Sequence, residues 1–143
     1  SIFRLNSLKT ILLSLNHLEL TMFYKENDSI RVKWVEGVHN GRGSIQIRSF
    51  FDNQSRLGTR LGVWELEPGT SEGIHIHQQD EPLEEIYYFL QGRGHMWIEE
   101  ESIPVSTGDA ILIPPGVAHG FENTGSEPLR LVLLFGKPVT EIK

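Results

Sequence analysis

Residues 108–123 read Gly108-Asp109-Ala110-Ile111-Leu112-Ile113-Pro114-Pro115-Gly116-Val117-Ala118-His119-Gly120-Phe121-Glu122-Asn123, and residues 69–77 read Gly69-Thr70-Ser71-Glu72-Gly73-Ile74-His75-Ile76-His77. In the first stretch an apolar run ends in Pro114-Pro115-Gly116, which stiffens and then turns the chain just before His119. In the second, two histidines stand at i and i+2. On a strand these share one face, because side chains alternate with period two. Paired imidazoles suit a dry core badly, since each ring has nitrogens that need partners. They suit a metal ion well, at roughly 2.0–2.1 Å per nitrogen in the zinc case.

Outward from these stretches the chain is a series of short runs rich in β-branched and aromatic residues: 31–35, 44–51, 60–66, 86–90, 95–99, 110–113 and 129–135. Asn40-Gly41, Pro68-Gly69, Gly92-Arg93-Gly94, Gly108-Asp109 and Asn123-Thr124-Gly125 punctuate them. Many short strands at near-regular spacing predict an all-β sandwich or barrel. No helical pattern appears after residue 30. Residues 1–21 differ, with Leu5, Leu8, Leu12, Leu15 and Leu18 three or four apart, an amphipathic helical spacing. The expected organisation is an N-terminal extension or arm over residues 1–29 and one barrel domain over 30–143. A second reading has Met22 as the natural start, with the preceding segment an addition.

Composition narrows the function. The 143 residues include 19 acidic and 13 basic side chains, a net charge of -6. That balance argues against nucleic-acid and anionic-membrane partners, which require clustered Lys and Arg. The absence of cysteine excludes disulfides, thiolate metal sites and cysteine nucleophiles, and leaves the six histidines as the soft ligands. No apolar run approaches the roughly 18 residues of a membrane span. Ile11 to Leu15 after Arg4 and Lys9 weakly mimics a secretion signal, but Ser14, Asn16 and His17 break it and no small-residue cleavage site follows. Cytoplasmic placement is the default expectation.

Gly69, His75, His77, Glu85 and Gly92, followed by Gly108, Pro114, Gly116, His119 and Asn123, closely resemble the two motifs of the cupin superfamily in its small single-domain form. The second motif, G-x5-P-x-G-x2-H-x3-N, agrees at all five specified positions. The first departs from the family pattern: seven residues rather than three or four separate His77 from Glu85. Glu81 has the usual spacing but precedes Pro82, which interrupts strand pairing. Glu85 leads directly into Ile86-Tyr87-Tyr88-Phe89-Leu90-Gln91-Gly92 and is the preferred ligand. Residues 78–84 then form a longer acidic loop.

The resemblance implies a double-stranded β-helix, or jelly-roll barrel, that holds one divalent metal ion with His75, His77, Glu85 and His119. Fe, Mn, Ni, Zn and Cu all suit such a site, because affinity order alone does not select the metal. The set leaves one or two coordination positions open. Small cupins commonly pair, so a homodimer is expected. The partner is a small molecule. Tyr87 and Phe89, on the strand face of Glu85, and Phe121, on that of His119, are candidate pocket residues whose alternative is to fill the barrel. His95 is a candidate acid or base, with an outer-wall position as its alternative. Arg60, Arg48 and Gln46 lie on wall strands, where an inward Arg implies an anionic substrate. His17 and His39 have no assigned role. The reaction expected is that of a metal-dependent dioxygenase, isomerase or lyase on a small oxygen-rich or carboxylated metabolite. The alternative is a non-catalytic module binding a sugar or effector.

Overall fold

A computed structural model describes residues 22–77 and 80–139. The leucine-spaced segment 1–21 and part of the acidic loop lie outside these. Ten antiparallel strands follow in order: β1 Val32–Glu36, β2 Ser44–Phe50, β3 Thr59–Leu66, β4 Ser71–His75, β5 Glu84–Gln91, β6 Arg93–Ile98, β7 Glu101–Ser106, β8 Ala110–Ile113, β9 His119–Glu122 and β10 Leu129–Gly136. They form a six-stranded sheet, β1-β2-β3-β10-β5-β8, and a four-stranded sheet, β4-β9-β6-β7, in the jelly-roll arrangement. β7 escaped the sequence reading because Pro104 sits inside it. It is an edge strand, where a residue without an N–H is tolerated.

Alternation places Tyr87 and Phe89 of β5, Leu131 and Leu133 of β10, and Met96 and Phe121 of the smaller sheet in one core. The four motif glycines, Gly69, Gly92, Gly108 and Gly116, all adopt positive φ, between 82° and 93°. A Cβ on Gly69 or Gly116 would meet nothing within 4 Å, so backbone conformation rather than space selects glycine there. Asn123, 1% exposed, joins the sheets: its amide donates to the carbonyls of Leu66 and Glu127, each at 2.8 Å, and its Oδ1 accepts from the Gly125 N–H.

Among the described residues a short helix, α1 Asp28–Arg31, is capped by Asn27, whose Oδ1 accepts from the Ser29 N–H at 3.0 Å. It lies on the outer face of the larger sheet. Asp28 there pairs with Arg130 and approaches Arg48 at 3.6 Å. Arg48 therefore points away from the barrel interior yet is only 6% exposed. Ile47, its neighbour, takes the inward side opposite Trp64. No described helix is long and apolar enough to cross a membrane.

Candidate metal centre

β4 and β9 pair so that His75 stands directly across from His119. His77 lies two residues beyond His75, just past the strand end. Glu85 reaches the same point from β5 of the other sheet. The imidazole centroids are 4.3 Å apart for His75 and His119, 4.9 Å for His75 and His77, and 5.7 Å for His77 and His119. One donor atom from each of His75, His77, Glu85 and His119 lies within 4.8 Å of all the others.

Hydrogen bonds aim these groups. Nδ1 of His75 lies 2.9 Å from the Gly73 carbonyl, and Nδ1 of His119 lies 2.9 Å from the Val117 carbonyl. A carbonyl only accepts, so each Nδ1 carries the proton and each Nε2 is left with a lone pair. This is how metal-ligating histidines are usually oriented. The Tyr87 hydroxyl donates to Glu85 Oε2 at 2.7 Å and leaves Oε1 facing the rings. Glu85 Oε1 lies against His77 Nε2 and 3.4 Å from His119 Nε2. These three buried atoms make no hydrogen bond. Glu85 Oε1 and His119 Nε2 thus meet as lone pairs with no donor between them, which is costly in a dry site and suits a cation. The donor set thus fits a divalent metal ion.

The electrostatics agree. Burial pushes the Glu85 carboxyl up, and the hydrogen bond from the Tyr87 hydroxyl acts against it to favour the ionised form. Burial lowers His75 to about 4, so its ring is neutral, as a ligand must be. Glu72, 2% exposed, behaves oppositely. Burial, and then the Glu85 charge, raise it to about 9, so it keeps its proton at neutral pH.

Beside the cluster is a cavity of about 140 Å³, lined by His39, Trp64, Glu72, His75, His77, Leu83, Glu85, Leu133 and Phe135. Glu81 is exposed and lines a separate outer hollow with His77, Asp80, Pro82, Leu83 and Lys137. Several sequence-predicted pocket residues take other places. Tyr87 touches Glu85, whereas Phe89 and Phe121 lie in the core beneath, packed edge-to-face with centroids 6.4 Å apart. Arg60 shares the inward face of Trp64 and pairs with Phe135 at the strand end, outside the cavity lining. His95 is on the outer face, its Nδ1 3.2 Å from Ser102 Oγ, because the buried Gly94 and Met96 hold the inward positions of β6.

The apolar wall residues Trp64, Leu83, Leu133 and Phe135 and two polar ones, Glu72 and His39, escaped the sequence reading. Glu72 and His75 are three apart, which on a regular strand would put them on opposite faces. An irregularity in the β4–β9 pairing between them brings both to the cavity. His39 belongs to a 3-10 turn, Val38–Asn40, that has no periodicity to read.

Residues 62–135 match the family described as cupin domain. An uncharacterised protein of Methanocaldococcus jannaschii is 42% identical over 64 residues, 45% of this chain and 49% of that protein. The acireductone dioxygenase of Saccharomyces cerevisiae is 34% identical over 92 residues, 59% of this chain and 45% of that enzyme. The chain thus spans about half the length of these curated relatives. Among solved structures, a predicted oxalate decarboxylase from Thermotoga maritima superposes with a TM-score of 0.73 at 24% identity, covering 80% of this chain and all of that one. With the family pattern covering more than half of its residues and its sheets arranged as a jelly roll, the chain belongs to the cupin family.

Proposed function

We propose that this cupin holds one divalent metal ion with His75, His77, Glu85 and His119 and acts as a metal-dependent enzyme on a small oxygen-rich or carboxylated metabolite. The observation that carries the metal reading is the set of buried, unpartnered atoms His77 Nε2, Glu85 Oε1 and His119 Nε2 facing one another. Three neutral imidazoles and one carboxylate leave a divalent ion with a net charge of +1, which favours an anionic or oxygen-donor guest. When bound, such an ion supplies Lewis acidity toward the guest's oxygens.

The rest is done by the chain itself. Trp64, Leu83, Leu133 and Phe135 give the cavity apolar walls that displace water and leave orientation to a few polar groups. Tyr87 fixes the carboxylate so that Oε1, not Oε2, faces the rings. Support for an enzymatic role comes from the similarity to an acireductone dioxygenase.

The test is metal analysis of the purified chain, followed by turnover assays on enediols, α-hydroxy acids and sugar acids, with oxygen uptake recorded. One metal equivalent and a turnover lost in His77→Ala, with the fold retained, is the expected result. Binding of such compounds with no turnover would replace the enzyme by a binding module. A chain that takes up no metal would end both.

We also propose that the chain pairs with a second copy through the outer face of the larger sheet. Ile86, Tyr88, Leu90, Leu112 and Leu134 there are between 36% and 52% exposed. In register, Leu134 pairs with Ile86 and Ile86 with Leu112, so one row of the face is continuously apolar. Such patches mark interaction surfaces.

A further inference from the structure

We propose that the loop from Gly37 to Gly43 is part of the cavity and that His39 hydrogen-bonds the small anion held there; this rests on the metal-binding reading above. The His39 ring stacks on ligand His75, with centroids 3.6 Å apart and planes within 8°. It stands edge-on to His77 at 6.3 Å and lines the same cavity as the ligands. The ring is exposed, and no hydrogen bond among the described residues engages its nitrogens. One face is covered by His75, so its edge nitrogens are what it offers. The wall residues Trp64, Leu83, Leu133 and Phe135 are largely apolar, so outside the ligand set the guest meets two polar groups, the buried Glu72 and the exposed His39.

The backbone is built to put the ring there. His39 has φ 50° and ψ 39°, and Asn40 follows at φ 64°. Two consecutive non-glycine residues in the left-handed region carry strain, which persists only where surroundings over-determine it. The surroundings here are β4 itself. The Ser71 N–H donates to the Arg42 carbonyl and the Arg42 N–H to Ser71 Oγ, both at 2.9 Å. A Cβ on Gly41 would sit 2.0 Å from the Ser71 carbonyl oxygen, and one on Gly73 would sit 1.9 Å from that of His39. Loop and strand therefore approach more closely than any side chain permits. The strand they share carries His75, so the loop and the metal ligand are held in fixed relation.

The cavity beside the ligands holds about 140 Å³ and opens outward, so a small guest fits within it. A carboxylate with an adjacent hydroxyl fits the size, offers two oxygens to the ion and leaves one for His39.

The experiment uses the full chain loaded with cobalt(II), whose visible spectrum reports both metal uptake and guest binding, and glycolate as the probe. His39→Ala is expected to weaken glycolate binding about tenfold or more, the scale of a hydrogen bond to a charged group. Its cobalt affinity and glycolate-free spectrum stay within about twofold of wild type on the same reasoning. His39→Gln, which keeps a donor, recovers most of the loss. Gly41→Ala, which pushes the loop off β4 without touching a ligand, reproduces the loss. Unchanged glycolate affinity in folded His39→Ala overturns the proposal. So does a fall in cobalt affinity as large as the fall in glycolate affinity, because His39 would then act only through His75. A wild-type chain that binds cobalt but shows no response to glycolate also overturns it, while failure to bind cobalt refutes the underlying metal reading instead.

Discussion

Replacing Tyr87 by Phe isolates one hydrogen bond at the centre of the site. The Tyr87 hydroxyl donates to Glu85 Oε2 at 2.7 Å, and the two residues are 0% and 4% exposed. No water can replace the lost donor without a cavity to hold it, and removal of one oxygen atom creates little space. The phenyl ring retains its edge contacts with Phe121 at 5.7 Å and His119 at 6.1 Å, so packing survives. What is lost is a hydrogen bond to a charged group, worth about 1.5–3 kcal/mol. Its loss also frees the carboxylate to rotate, so Oε1 no longer faces the rings in every molecule. Groups that orient a metal ligand typically change metal affinity by about 10–100-fold. Tyr87→Phe is therefore expected to weaken zinc or cobalt binding by that factor, read by competition against a chromophoric chelator, with circular dichroism unchanged. Without the donor the Glu85 pKa rises, so metal binding fails at higher pH on acidification. A folded Tyr87→Phe chain with wild-type metal affinity refutes this reasoning.

Other outcomes follow from the same geometry. Glu85→Gln should abolish tight metal binding, whereas Glu81→Gln, at an exposed loop position outside the cluster, should leave it within about twofold, both read by the same competition. In the metal-free protein, Glu72 is held protonated up to about pH 9 against 4.5 when unfolded, so between these values the folded state binds the extra proton and stability falls as pH rises. His75, lowered from 6.5 to about 4, contributes an opposite slope below pH 6.5 and cancels that trend there. The decline is thus expected between about pH 6.5 and 9 in melting curves, and Glu72→Gln should flatten it. Tyr88→Glu combined with Leu134→Glu, on the outer sheet face, should convert a pair into single chains in sedimentation experiments, with metal binding intact.

The residues that could be read from sequence were those whose geometry depends on local pattern. His75 and His77 share a face by strand alternation, and Glu85 opens a strand whose next inward residue is Tyr87. The turn Pro114-Pro115-Gly116 delivers His119 opposite His75. The positive φ of Gly69, Gly92, Gly108 and Gly116 explains why those positions are glycine. What could not be read depended on departures from pattern or on tertiary approach. Glu72 reaches the cavity through irregular pairing. His39 does so through a loop seated on Gly73, a contact between residues 34 positions apart. Arg48 is outward as alternation allows, but α1 covers it, and nothing in the strand sequence announces that cover. His95 shares its strand face with Trp97, so alternation of apolar residues did not mark that face as the outer one.

The most direct test is a crystal structure of the metal-loaded chain with anomalous data collected at the metal's absorption edge. A single peak bonded to nitrogens of His75, His77 and His119 and an oxygen of Glu85, at roughly 2.0–2.2 Å as for zinc, is the predicted result. A peak elsewhere, such as among Asp80 and Glu81, or a His119 ring turned away from it, would contradict the account.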